Sequence, residues 1–172
     1  IAWDCYPQPY HSDIAESAFR HECMRAAKDG QPFLLIEQSP SNKCWSPVLS
    51  RKKPGLMRLL SYQALAHGAE SVMYFQWRRS LSGCEKMGSA IVESDNAEQT
   101  RVFKEVAHLG KELEKMGDSF LGSTSPAQVA ILFDWESWWA SDFCIGPIAD
   151  KKYVATAEKH YKGFMQNHVD IN

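Results

Sequence analysis

The stretch Pro32-Phe33-Leu34-Leu35-Ile36 is apolar without a break and ends on a carboxylate, Glu37. A strand with one wet face alternates apolar and polar residues. An unbroken run is expected of a strand covered on both faces, as in a parallel sheet flanked by helices. The neighbouring segments repeat the theme. Ile1 to Tyr6 is a short apolar element closed by Pro7, and Ser71 to Trp77 is another, centred on Val72, Met73, Tyr74 and Phe75. Helical patterns lie between. Ser12 or Asp13 caps a helix running to about Lys28, with Phe19, Cys23, Met24 and Ala27 on one face and Gly30 as its stop. Pro54 opens a second, with Leu56, Leu59, Leu60 and Ala64 inward and Gly68 at its end. Val102, Val106, Leu109, Leu113, Met116 and Phe120 recur at spacings of four and three, the apolar stripe of a third. Gly122-Ser123-Thr124-Ser125-Pro126 then breaks the pattern and marks a domain boundary. Beyond it, Val129 to Phe133 reads as a buried strand. Tyr153, Ala157, Tyr161 and Phe164 form the apolar face of a last helix, and Val169 to Asn172 opens a further strand. Strands alternating with helices imply an α/β protein with parallel strands and right-handed crossovers.

Composition excludes more than it identifies. The net charge of -2 gives no broad attraction to nucleic acid or to an anionic membrane. No apolar stretch approaches the roughly 20 residues that span a bilayer. The five cysteines are scattered, odd in number and never spaced as CxxC, which argues against a structural zinc site or a disulfide framework. Reduced, mostly buried thiols are expected instead, and with them a cytoplasmic setting. His67, His108, His160 and His168 form no metal-ligand spacing. The chain opens on Ile1 without a Met or a secretory leader and closes on Val169-Asp170-Ile171-Asn172, which reads as the beginning of a strand. Both ends therefore read as cuts in a longer protein, with any targeting signal outside these 172 residues.

In parallel α/β folds the working residues sit at or just beyond the carboxyl ends of strands. Asp4, Glu37-Gln38, Gln76-Trp77-Arg78 and Asp134-Trp135-Glu136 all fall there. Glu37 stands out, because a carboxylate after a run of apolar residues is costly to desolvate unless its charge is used. Position alone leaves two readings open, a reactive carboxylate or a brace for a neighbouring loop through Arg78 or Arg79. Trp3, Tyr6, Tyr10, Trp45, Tyr74 and Trp77 surround these strand ends. Sugar rings stack their C–H faces on such aromatic planes, and their hydroxyls need groups like those of Glu37, Gln38, Asn42, Gln76, Arg78, Arg79 and Glu85. Tyr74 fits the core better. Trp45, in a Pro- and Ser-rich loop with little core to join, fits a functional role. The run Asp134-Trp135-Glu136-Ser137-Trp138-Trp139 has two readings, a second carbohydrate-facing surface and, the preferred one, an exposed subunit interface at a strand end.

Together these segments resemble glycoside hydrolase family 42. The resemblance rests on Trp3-Asp4-Cys5-Tyr6-Pro7, on Pro32 through Glu37-Gln38-Ser39-Pro40-Ser41-Asn42, and on Arg51-Lys52-Lys53-Pro54-Gly55. It continues through Ala66-His67-Gly68-Ala69, Tyr74-Phe75-Gln76-Trp77-Arg78, Gly83-Cys84-Glu85-Lys86 and Ile131 to Glu136. It implies a retaining β-galactosidase. Residues 1-124 would be the C-terminal portion of a (β/α)8 TIM barrel, strands six to eight, and residues 125-172 the start of a flavodoxin-like α/β trimerisation domain. On the same resemblance Glu37 is the nucleophile, Trp45 lines the galactose subsite, Glu85 binds sugar hydroxyls and Asp4 is a further sugar-side carboxylate. Gly88 stands where the family usually has a histidine. The general acid/base, at the end of strand four, and the zinc-binding cysteines of some members lie outside these residues.

The implied substrate is a small galactoside or galacto-oligosaccharide, the implied assembly a homotrimer, and no cofactor or metal is expected in this segment. Arg78 or Arg79 would keep Glu37 ionised. With one of two catalytic carboxyls, the 172 residues alone are not expected to catalyse. A related retaining glycosidase (an α-L-arabinosidase or β-fucosidase) and a non-catalytic sugar-binding or assembly protein on a barrel scaffold remain open. A stand-alone flavodoxin-like module is disfavoured, because no phosphate-cradling glycine loop follows any strand.

Overall fold

A computed structural model describes residues 1–10, 14–95, 97–146 and 151–172. Strands β1 (Ala2–Asp4), β2 (Phe33–Glu37) and β3 (Ala69–Val72) form a parallel sheet in that order, so β2 is central. Helix α1 (Ile14–Ala26) connects β1 to β2, and α2 (Leu56–Ala66) connects β2 to β3. The register places Trp3 opposite Leu35, Asp4 opposite Glu37, and Leu35 opposite Val72. Helix α3 (Arg101–Met116) follows, capped by Thr100, whose hydroxyl accepts from the Phe103 N–H at 3.1 Å. Ser12 and Asp13, the expected caps of α1, lie outside the described residues.

One face of β2 carries the core. Phe33 and Leu35 are buried with Cys5, Ala64, Leu65 and Ala69, and Trp3, Met24, Leu113 and Phe120 close around them. Leu34 and Ile36 point the other way and are 39% and 38% exposed. The expectation of a strand covered on both faces thus holds on one face only, because the helices of this chain lie on one side of the sheet. In α2 the inward stripe is Met57, Leu60, Ser61, Ala64 and Leu65, while Leu59 is exposed. The stripe was displaced in the sequence reading because Ser61 counts as polar. Its hydroxyl is in fact buried, donating to the Met57 carbonyl and accepting from Gln38 Nε2, both at 2.8 Å. Strand β3 begins two residues before the expected Ser71. Past Val72, pairing continues irregularly through Met73 N–H to Leu35 O and Phe75 N–H to Gln38 O, and the Phe75–Gln76 peptide is cis.

The second part of the chain differs more from expectation. Val129 makes an isolated parallel bridge to Ile171, framed by Ile131 N–H to Asn172 O and Asn172 N–H to Val129 O. Val129, Ile131 and Phe133 are half-buried, but Leu132 is 95% exposed. The segment is one-sided, not a buried strand. Asp134 caps helix α4 (Trp135–Phe143), accepting from the Ser137 N–H at 2.7 Å. The aromatic run is therefore helical. In α5 (Tyr153–Gln166) the inward residues are Val154, Ala157, Tyr161 and Met165, and Phe164 is 37% exposed. They join Ala18, Phe19, Cys23, Ile131, Phe133 and Ile171 in a second core. Helix α1 is thus covered on two sides, by the sheet through Met24 and by α5 through Ala18, Phe19 and Cys23. Ala27 falls beyond its end and is exposed. Of the cysteines, all free, only Cys5 is buried, so the expectation of mostly buried thiols was too broad. Among the described residues no helix is long and apolar enough to cross a membrane.

His21 sits on the inner side of α1, 2% exposed, edge-on to Trp3 and stacked on Phe33 at 5.6 Å between ring centroids. Among the described residues its Nδ1 has no hydrogen-bond partner. Burial first, and the neighbouring His67 second, push its imidazole from 6.5 down to about 3. A depressed folded-state value means the unfolded chain binds the extra proton. The stability tied to neutral His21 is therefore complete above about pH 6.5 and is lost as pH falls toward 3. Urea midpoints between pH 7 and 4 are expected to fall less steeply in His21→Phe than in the native protein. Equal slopes would show that His21 does not carry the acid sensitivity.

Candidate active site

The parallel register sets the ends of β1 and β2 side by side, which brings Asp4 next to Glu37. The chain leaving β1 then places Tyr6 over the end of β2. Its hydroxyl donates to Glu37 Oε2 at 2.7 Å, a hydrogen bond to a charged acceptor and so among the stronger kinds. Burial, and then the bond to Glu37, raise the Tyr6 hydroxyl far above its ordinary value, so it remains a donor across the working pH range. Partial desolvation, and then the Glu37 charge, raise the Asp4 carboxyl as well.

Tyr6 also meets Trp45 edge to face, with centroids 4.6 Å apart. Lys43 donates to the Tyr6 carbonyl at 3.2 Å and lies 5.8 Å from the Trp45 ring centre. Gln8 Nε2 donates to Ser46 Oγ at 2.8 Å, tying the loop after β1 to the loop after β2. Trp45 remains 54% exposed, an aromatic face beside an oriented carboxylate. The segment 38–42 between Glu37 and this loop is buried throughout. Asn42 spends its amide on the Met87 carbonyl at 2.8 Å, and its own carbonyl accepts from Ser89 N–H and Oγ.

Asp4, Glu37 and Trp45 are therefore brought together, with Tyr6 as the link. Glu85 stands on an exposed helical turn, Cys84–Met87, which reaches the Trp45 loop through Asn42 and through the contact of Gly88 with Cys44. A Cβ added at Gly88 would sit 3.2 Å from the Glu85 carbonyl, so a histidine there would need the turn to move slightly. Arg79 is not a partner of Glu37. It is held by Glu93, with Nη2 to Oε1 at 2.7 Å, and by the carbonyls of Lys86 and Gly88. Its role is to close the long loop after β3. Gln38 bonds to Ser61, Gln76 Oε1 accepts from Ser80, and Tyr74 bonds to Ser61.

The sequence reading counted Tyr6 among the aromatics but did not pair it with Glu37. The available signal was its place two residues beyond Asp4, with β1 and β2 adjacent in a parallel sheet. Among the described residues no group of three or more His, Cys, Asp or Glu side chains could hold a metal ion. The apolar cavity of about 230 Å³ lined by Phe19, Cys23, Phe133 and Tyr161 does not include Glu37.

A family model described as β-galactosidase matches residues 1–116, and one described as the β-galactosidase trimerisation domain matches residues 127–172. The β-galactosidase BgaP of Planococcus sp. (strain L4) is 44% identical over 172 residues, which is 100% of this chain and 25% of that protein. The β-galactosidase GanA of Bacillus subtilis (strain 168) is 40% identical over 180 residues, covering 100% of this chain and 26% of that protein. Among solved structures, the β-galactosidase of Bacillus circulans sp. alkalophilus superposes with a TM-score of 0.95 at 44% identity, over 99% of this chain and 25% of that one. A catalytic mutant of a family 42 β-galactosidase from G. stearothermophilus gives 0.91 at 40% identity, over 100% of this chain and 26% of that one. The chain thus spans about a quarter of the length of these relatives.

Proposed function

Because the chain belongs to the β-galactosidases of glycoside hydrolase family 42, we propose that it forms the Glu37 side of the active site of a retaining β-galactosidase. On this reading residues 1-124 close a (β/α)8 barrel and residues 125-172 begin the α/β trimerisation domain. The observation that carries the proposal is the Tyr6–Glu37–Trp45 arrangement, a carboxylate oriented by one donor beside an open aromatic face.

Retaining hydrolysis needs two carboxyl groups about 5–5.5 Å apart. Glu37 attacks the anomeric carbon of a terminal β-galactoside as the aglycone leaves, forming a galactosyl ester. A general acid/base elsewhere in the enzyme protonates the leaving oxygen and then takes a proton from the water that breaks the ester. Tyr6 holds the attacking carboxylate in place. Trp45 stacks on the sugar, while Asp4 and Glu85 bind its hydroxyls. The reaction uses two carboxyls and water and takes no cofactor. A homotrimer is supported by the match to the trimerisation model and by the exposed apolar residues Leu132, Trp139, Phe143 and Ile145 on or beside α4. A cytoplasmic location is proposed on the free thiols.

The full-length protein is expected to cleave an aryl β-galactoside and to release β-galactose as the first anomer seen by NMR. Faster cleavage of an aryl α-L-arabinoside or β-fucoside would reassign the substrate, and release of the α anomer first would overturn the double displacement.

A further inference from the structure

Lys52 is 2% exposed, buried as deeply as the core residue Leu35. Its Nζ donates to the carbonyl of Ser39, two residues after Glu37. No carboxylate pairs with it among the described residues, and its electrostatic neighbour is the buried Cys5, a thiol whose own burial disfavours the charged form. A buried ammonium without a counter-ion opposes folding unless the site needs what it supplies. What it supplies here is a donor to the middle of a turn in which Gln38 and Asn42 have backbone partners but, among the described residues, Ser39, Pro40 and Ser41 have none. Gln38, Ser39, Pro40, Ser41 and Asn42 are all buried, and side chains complete their bonding: Ser61 on Gln38, Ser89 on Ser41 and Asn42, and Lys52 on Ser39. Lys52 is itself fixed, its carbonyl accepting from Arg101 Nη2 at 3.0 Å. The turn joins Glu37 directly to the loop carrying Trp45.

We propose that Lys52 is a positioning residue for the galactoside reaction, its buried ammonium pinning the turn 38–42 and thereby the placement of Glu37 and Trp45. This rests on the catalytic reading of Glu37. Burial lowers the Lys52 ammonium from its ordinary 10.5 to about 8, with the nearby Cys5 acting in the opposite direction. Of the charged groups around it, Arg101 bonds to the Lys52 carbonyl, Arg51, Arg79 and Glu93 line the cleft beside Ser41 and Asn42, and Glu16 and Arg20 of α1 act on Cys5. The pin therefore loses its charge as pH rises through about 8, and activity falls with it. Global stability moves the other way. The cost of burying the charge is full below about pH 8 and is relieved between there and 10.5, so a rate loss in this window is not unfolding.

The test uses the full-length protein with an aryl β-galactoside, in native form and as Lys52→Arg and Lys52→Met. In the native protein kcat/KM is expected to decline above pH 8. Lys52→Arg keeps a charge that does not titrate and is expected to lose that alkaline limb while staying within about tenfold at pH 7. Lys52→Met is expected to lose about a hundredfold at pH 7, as for a misplaced catalytic group, with no limb near pH 8. Hydrogen exchange of the peptide 38–46 is expected to quicken in Lys52→Met while α3 keeps its protection. An unchanged limb in Lys52→Arg, or native exchange of peptide 38–46 in Lys52→Met, overturns the proposal. If the native protein cleaves no galactoside, the catalytic reading of Glu37 fails, and the exchange result still decides whether Lys52 holds the turn.

Discussion

Glu37→Gln in the full-length protein is expected to lower turnover of an aryl β-galactoside by at least about four orders of magnitude, the scale seen when a covalent nucleophile is removed. That is about 5.5 kcal/mol of barrier. Glutamine is the informative replacement because the rest of the site survives it. The amide oxygen still accepts from the Tyr6 hydroxyl, which now donates to Glu37 at 2.7 Å, and the volume is unchanged. Only the nucleophilic charge is lost. Thermal stability should therefore stay close to native, which separates a chemical defect from a folding one. Glu37→Ala adds a test of geometry. Azide entering the vacated space attacks from the face that Glu37 used and gives α-galactosyl azide from an activated β-galactoside. Formation of the β azide instead would assign Glu37 the acid/base role, and near-native turnover in Glu37→Gln would remove it from the chemistry.

Phe33→Ala is expected to be the most damaging change to the scaffold. Phe33 has no exposed surface, stacks on His21 at 5.6 Å and packs at the centre of the core formed with Leu35, Ala64 and Leu65. Truncating a buried phenylalanine costs about 3–5 kcal/mol, the lost transfer energy plus the cavity left behind. A domain's whole stability is about 5–15 kcal/mol, so most or all of the margin is at stake. The urea midpoint should fall steeply and amide protection of β2 should drop. Activity should fall too, since Glu37 closes the same strand four residues on. A loss below about 1 kcal/mol would mean the sheet is held mainly by contacts other than this one.

These two residues show where the sequence was legible. An unbroken apolar run ending in a carboxylate was enough to place a central parallel strand and to single out Glu37 at its end. The amphipathic stripe of α3 was equally plain. Burial was harder to read. Ser61 is a polar residue whose hydroxyl is satisfied inside the core, and Lys52 is a charged one that is only 2% exposed. Residue type reports the cost of burying a group and says nothing of the partner that offsets it. Helix α4 was hidden for a related reason. Its aromatic residues give no one-sided stripe, and its start depends on Asp134 acting as a cap.

By itself, then, the sequence determined the α/β class, the parallel order implied by its alternating segments and the candidacy of Glu37. Each follows from periodicity and from the cost of placing charge after an apolar run, both local properties of the chain. Tertiary structure alone decided what Glu37 touches. Tyr6 reaches Glu37 from thirty-one residues away, and Lys52 reaches Ser39 in the turn that follows, only because β1, β2 and α2 pack in one register. Hydrogen bonds between distant side chains depend on that packing to within a fraction of an ångström, and no local pattern encodes it.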